Sequence, residues 1–138
     1  MKIKRVIQED STGCGIACAA MVAGVSYIEA KRTAIKHGIV KEKPPYYTTA
    51  GELSALLSKF GNDFARGRKL RKWESLDKLS IVGINYKPAY DTWHWVVYVP
   101  DSEAGFVLDP RKGVKTYKRT DFSRMRPRSY IPVSHPNN

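Results

Sequence analysis

The stretch QEDSTGCGIACAAM, residues 8–21, places a cysteine between two glycines where polar residues give way to small apolar ones. Cys14, Cys18 and Met21 recur with the spacing of one helix face, which predicts a buried helix with Cys14 in its first turn. The N-terminus of a helix favours a thiolate, and its unpaired N–H groups can hold a developing oxyanion. Cys14 is therefore a candidate nucleophile for acyl transfer.

Cys18 lies one turn deeper in the same predicted helix, where the effect of the helix dipole has faded. Free cysteines are among the most buried residue types, so we expect Cys18 to be a packing residue. Two cysteines are too few for a disulfide framework, and both are expected to be free thiols. A thiol redox function is a weaker alternative, because the spacing is Cys-x-x-x-Cys and the usual redox motif is Cys-x-x-Cys.

A nucleophilic cysteine needs a base, and the sequence offers three histidines. His37 lies at the C-terminus of a predicted helix and His135 lies in the C-terminal tail, so both have simpler explanations. His94 lies within the apolar segment WHWVVYV, where an imidazole needs a hydrogen-bonding partner. His94 is the candidate base, and a buried histidine of the core is the alternative.

The expected hairpin around PDSEAG places a carboxylate where it can orient His94. If the turn is centred between residues 102 and 103, Asp109 lies opposite Val96, which shares a sheet face with His94. A register shift of one residue would move Asp109 to the other face. The other candidates for this role are Asn85 and Asp101. Read alone, the LDPR segment is a strand-ending turn.

These residues together supply the parts of a Cys-His-Asp triad, with Cys14 as nucleophile, His94 as base and Asp109 as orienting group. Gln8 lies six residues before the cysteine. Its side-chain amide is a candidate second donor to the oxyanion, beside the backbone N–H of Cys14.

Helix signals precede strand signals along the chain. Helices are predicted over residues 13–25, 26–38 and 49–61, the first capped by Ser11 or Thr12, and a short helical turn follows Trp73. Strands are predicted over residues 80–86, 93–99, 105–109, 114–119 and 129–133. This order predicts an α+β fold of helices packed on an antiparallel sheet, within one domain spanning residues 1–138.

The formal net charge of +11 is concentrated in two segments. Residues 66–72 carry five basic side chains, and residues 111–128 carry eight with Asp121 as the single acid. Such patches bind nucleic acid, anionic membrane surfaces or acidic proteins, and a solvated face is the simpler interpretation. A second hypothesis is therefore a non-catalytic binding module for nucleic acid or an acidic protein.

No apolar run approaches the roughly 20 residues needed to cross a bilayer. The basic start MKIKRV is followed by the polar segment QED, which does not suit a secretory signal. We therefore expect no membrane span and a cytoplasmic location.

The pattern Q-x5-C-G-x-A-C over residues 8–18, with HWVVYV around His94 and VLDP around Asp109, resembles the papain-like cysteine peptidases. Within them it is similar to the bacteriocin-processing peptidases that remove double-glycine leader peptides. The resemblance implies a papain-like fold and a peptide or protein substrate, with Cys14 as nucleophile, His94 as base, Asp109 as orienting residue and Gln8 in the oxyanion hole. It implies no cofactor.

Members of that family often form the front of a membrane-spanning export ATPase, and no hydrophobic span or P-loop follows here. The departure leaves the substrate open among a leader peptide cleaved in trans, a deconjugation reaction, an acyl transfer or amide hydrolysis, and the target of a toxin-like effector. A domain repurposed for binding would be expected to lose some of Gln8, Cys14, His94 and Asp109, and all four are present.

Overall fold

The chain first forms three α-helices and then five β-strands in the computed structural model, which describes residues 2–134. The helices are α1 (Cys14–Ala23), α2 (Tyr27–Lys36) and α3 (Ala50–Lys59). The strands are β1 (Arg68–Lys69), β2 (Ser80–Lys87), β3 (Thr92–Val99), β4 (Phe106–Leu108) and β5 (Pro127–Pro132). Short 3-10 turns cover Trp73–Ser75 and Phe122–Arg124.

The five strands form one sheet in the order β1-β5-β2-β3-β4, with every neighbouring pair antiparallel. Alternate residues of the strands point to opposite faces, and each face has its own apolar cluster. Trp95, Val97 and Leu108 pack beneath the helices. Val96, Tyr98 and Val107 pack on the other face against the segment around Trp73 and against Met125. The α+β fold predicted from the sequence is confirmed.

Local signals explain where the helices begin and end. Ser26 caps α2 by accepting from the N–H of Glu29, and Thr49 and Glu52 form a reciprocal capping box on α3. The predicted cap of α1 is wrong: Gly13 is the N-cap and makes no side-chain cap bond. The Thr12 hydroxyl instead accepts a hydrogen bond from the N–H of Tyr46, in the loop between α2 and α3.

One predicted strand is absent, and one observed strand was not predicted. Residues 114–119 do not form a strand; of this segment only Arg119 makes a bridge, to Val107, because the segment has no apolar face to bury. Strand β1 was not predicted, because it is two residues long and lies within a basic run without alternation. It pairs Arg68 with Tyr130 and Lys69 with Ser129 at the edge of the sheet.

Candidate active site

Cys14 is the first residue of α1 and is half-buried beside strand β3. Its Sγ accepts a hydrogen bond from the N–H of Trp95 at 3.4 Å. The two flanking glycines permit this close packing. A Cβ at Gly13 would collide with the Tyr27 hydroxyl, and one at Gly15 would collide with Thr48 Oγ1.

The β3–β4 hairpin has the register predicted from the sequence. Val97 pairs with Leu108, so continuing the ladder by one residue sets Asp109 opposite Val96. His94 Nε2 lies 2.7 Å from Asp109 Oδ1. The ring uses Nε2 for the carboxylate, which leaves Nδ1 as the nitrogen available to Cys14. The structure therefore brings together three of the predicted site residues.

Burial and hydrogen bonding act in opposite directions on the two titratable partners. Burial alone would lower the pKa of His94, but its hydrogen bonds with Asp109 and Cys14 outweigh burial and raise it above the ordinary value. Burial would raise the pKa of Asp109, but hydrogen bonds from His94, the Arg111 N–H and Arg119 lower it to about 2. The site thus favours an imidazolium beside a carboxylate.

Gln8 is buried next to the same site, and its backbone N–H donates to Pro110 O at 2.8 Å. Its Nε2 donates to the carbonyls of Asp10 at 3.0 Å and Ser11 at 3.1 Å. Both amide hydrogens are therefore engaged with the loop that leads into α1. To reach an oxyanion, Nε2 has to release one of these carbonyls.

The remaining candidates lie elsewhere in the structure. Asn85 bonds the backbone of Arg124 and Arg126, and Asp101 accepts from two N–H groups of its own turn. His37 is the exposed C-cap of α2, as expected, and His135 lies outside the described residues. Cys18 is fully buried, and burial raises its pKa well above the ordinary value, in agreement with a packing role.

Two arginines at the site were missed by sequence reasoning. Arg119 Nη1 lies 2.7 Å from Asp109 Oδ2, and its other nitrogens bind Asp121. Arg5 Nε donates to the carbonyl of Asp109 at 2.6 Å. Arg119 lies in the basic segment 111–128, which we predicted to be a surface patch. Within such a basic segment, the sequence does not distinguish Arg119, which is partly buried, from the exposed basic residues around it. Asp121, two residues away, was the available signal.

A cleft of about 360 Å³ opens beside the thiol. Its lining residues include Cys14, Tyr47, Thr48, Tyr90, Trp93 and Trp95. Two polar atoms of this lining, Thr48 Oγ1 and Trp93 Nε1, are buried and have no hydrogen-bond partner among residues 2–134. Across the same residues, no group of three or more His, Cys, Asp or Glu side chains is placed to hold a metal ion.

Comparison with known protein families gives a match over most of the chain. A model described as the Peptidase C39 family matches residues 2–128. The chain belongs to the peptidase C39 family. No relative among curated proteins matches it.

Solved structures of two peptidases have a similar fold. One is a double glycine motif protease from an AMS/PCAT transporter in complex with the leader peptide, with 18% identity and a TM-score of 0.66 over 96% of this chain and 91% of that one. Another is the peptidase domain of Streptococcus ComA, a bifunctional ABC transporter involved in quorum sensing, with 20% identity and a TM-score of 0.69 over 96% and 98%.

The helices of this C39 chain are short. Within residues 2–134, no single helix is both long enough and apolar enough to cross a membrane; only α1 and α2 taken together reach that length and composition, across a bend of 109°.

Proposed function

We propose that this C39 chain is a cysteine peptidase that cleaves a peptide bond through an acyl-enzyme on Cys14. His94 Nδ1 takes the proton from Cys14 Sγ, and the thiolate attacks the carbonyl carbon of the substrate. Asp109 holds the ring by its other nitrogen and stabilises the imidazolium that forms. The observation that carries the proposal is the 2.7 Å contact between His94 and Asp109 beside a cysteine that begins a helix.

The rest of the reaction needs an oxyanion site and a water molecule. The Cys14 N–H stabilises the negative oxygen of the tetrahedral intermediate, and Gln8 Nε2 joins it after releasing the carbonyl of Asp10 or Ser11. When the intermediate collapses, the C–N bond breaks and His94 gives its proton to the leaving amine. His94 then takes a proton from water, which attacks the thioester carbonyl carbon. The C–S bond breaks, His94 returns its proton to the Cys14 thiolate, and the product acid leaves as a carboxylate after losing its proton to solvent.

The cleft beside Cys14 supports an extended peptide as the substrate. Its aromatic walls favour residues with little or no side chain next to the scissile bond. Since a C39 relative was solved with a leader peptide, we propose a leader peptide ending in two glycines.

The basic segment 66–72 is proposed to capture acidic parts of the substrate. Pairing of β1 with β5 brings this segment next to Arg126 and Arg128, which makes one positive surface from two separate runs. Such a surface raises the rate of encounter with an acidic peptide without taking part in the chemistry.

The test is cleavage of a synthetic leader peptide that carries Gly-Gly before the expected bond. Wild type and Cys18→Ala should release the leader with its new carboxyl terminus after the second glycine, and Cys14→Ala should release none. A peptide with Val-Val in place of Gly-Gly should be cleaved at least about tenfold more slowly. Cleavage by Cys14→Ala, or equal cleavage of both peptides, would contradict the proposal.

A further inference from the structure

Two carboxylates hold the guanidinium of Arg119. Its Nε and Nη2 form a two-point contact with Asp121, at 2.9 Å to Oδ1 and 2.7 Å to Oδ2. Its Nη1 reaches Asp109 Oδ2 at 2.7 Å. The side chain of Asp109 is fully buried and that of Arg119 is 15% exposed, so this contact is shielded from water. Charge-assisted hydrogen bonds in such surroundings are stronger than exposed ion pairs.

The two oxygens of Asp109 have different partners. Oδ1 accepts from His94 and from the Arg111 N–H, whereas Oδ2 accepts from Arg119. A carboxylate can rotate about its terminal bond, and a buried one without a cation takes up a proton readily. Arg119 supplies both a cation and a fixed direction for Oδ2.

The backbone of Arg119 is fixed to β4, and Asp109 directly follows that strand. The N–H and C=O of Arg119 both bond Val107 at 2.9 Å, two residues before Asp109. The arginine and the aspartate therefore keep their relative positions.

We propose that Arg119, held in place by Asp121, is a positioning residue that keeps Asp109 ionised and aimed at His94. This inference rests on the proposed function, since it assigns to Arg119 a role in activating Cys14. The charged and titratable groups around Asp109 come from four segments of the chain and are Arg5, Cys14, Cys18, His94, Arg111, Arg119 and Asp121.

The test measures alkylation of Cys14 by iodoacetamide between pH 4 and pH 8, followed by peptide mapping. In the wild type, Cys14 should react faster than Cys18 at pH 6. In Arg119→Met, labelling of Cys14 at pH 5 should fall at least about threefold, because an aspartate without its cation protonates at higher pH and releases the imidazolium. At pH 8 the change should be less than about twofold.

Three further variants separate positioning from a structural role. In an Asp109→Asn background, adding Arg119→Met should cause less than about a twofold further change at pH 5, since Arg119 acts through Asp109. Arg119→Lys keeps the cation but loses the two-point contact with Asp121, so its labelling at pH 5 should lie between those of the wild type and Arg119→Met. If Arg119→Met does not fold, labelling of Arg119→Lys below the wild type at pH 5 supports the role, and wild-type labelling overturns it. Arg32→Met, on the exposed side of α2, should behave as the wild type.

The outcomes are distinct. Wild-type labelling of Arg119→Met at pH 5, equal losses in both backgrounds, or a lysine variant as slow as the methionine variant would overturn the role of Arg119 while leaving the Cys14–His94 pair intact. Equal labelling of Cys14 and Cys18 in the wild type would overturn the proposed function, and the role of Arg119 with it.

Discussion

Most polar contacts of the site involve Asp109. Its side chain binds His94, Arg119 and the N–H of Arg111, and its carbonyl accepts from Arg5. A buried carboxylate with this many donors is fixed in direction and kept charged. Changes at Asp109 therefore test both the chemistry and the stability assigned to the site.

Replacing Asp109 with Asn keeps the size of the side chain but removes the charge that stabilises the imidazolium. We expect the peptidase activity to fall by at least about tenfold, or roughly 1.4 kcal/mol of transition-state stabilisation. Steady-state cleavage of the Gly-Gly peptide measures this loss.

Asp101→Asn is the matched control, because Asp101 caps its own turn at the other end of the hairpin and Asn can accept the same two hydrogen bonds. Little change is expected. A damaging Asp101→Asn with a silent Asp109→Asn would show that the orienting residue has been misassigned.

The low pKa of Asp109 also predicts how stability depends on pH. The pKa of Asp109 is about 2 in the folded protein against an ordinary value of 3.8. The charged carboxylate therefore stabilises the folded protein fully at pH values above 3.8. This stabilisation, about 2 kcal/mol, is lost as the pH falls from about 4 to about 2. Urea unfolding should therefore show the free-energy gap between wild type and Asp109→Asn closing over this range. A gap that stays constant with pH would contradict the assignment.

At the scale of elements, the β3–β4 hairpin shows what the sequence can specify. The turn residues between two apolar strands determine the register, and the register alone predicts that Asp109 approaches His94. Arg119 was not predictable in this way. It follows a segment without regular structure, and its contact with Asp109 depends on a bridge to Val107 that no periodicity signals.

The start of α1 depends on close packing that a glycine alone allows. A Cβ at Gly15 would meet Thr48 Oγ1 and lie 3.1 Å from the Trp95 ring, so Gly15→Ala should destabilise the protein by about 1–3 kcal/mol. Thermal or urea unfolding measures this. Gly51→Ala is the matched control, because its Cβ would have only Thr49 Oγ1 nearby, at 3.9 Å, and alanine in a helix should stabilise by about 0.5–1 kcal/mol. The opposite order of stabilities would contradict the packing account.

At the scale of the whole molecule, the positive charge is divided between two uses. The Arg119 side chain binds Asp109 within the site. The basic side chains of residues 66–72 are exposed on the edge of the sheet and do not contact Cys14 or His94. The sequence alone predicted the amount of basic charge but not this division, because both segments have the composition of a solvated face.

Neutralising the exposed cluster should therefore affect capture and not chemistry. Replacing Arg66, Arg68, Lys69, Arg71 and Lys72 with Gln should raise KM for an acidic leader peptide and flatten its dependence on salt, with kcat nearly unchanged. The same change at Arg32, Lys41 and Lys43, which are also exposed, is the control and should leave KM unchanged. A large fall in kcat at constant KM would refute this division.

The central claim is that Cys14 carries the acyl group of a cleaved peptide. Rapid acid quenching of the wild type with the Gly-Gly leader peptide, followed by intact-mass measurement and peptide mapping, tests it most directly. The account predicts a transient adduct with the mass of the leader minus water, attached to Cys14 and absent from Cys14→Ala. Product formation without any adduct, or an adduct mapped to Cys18, would contradict it.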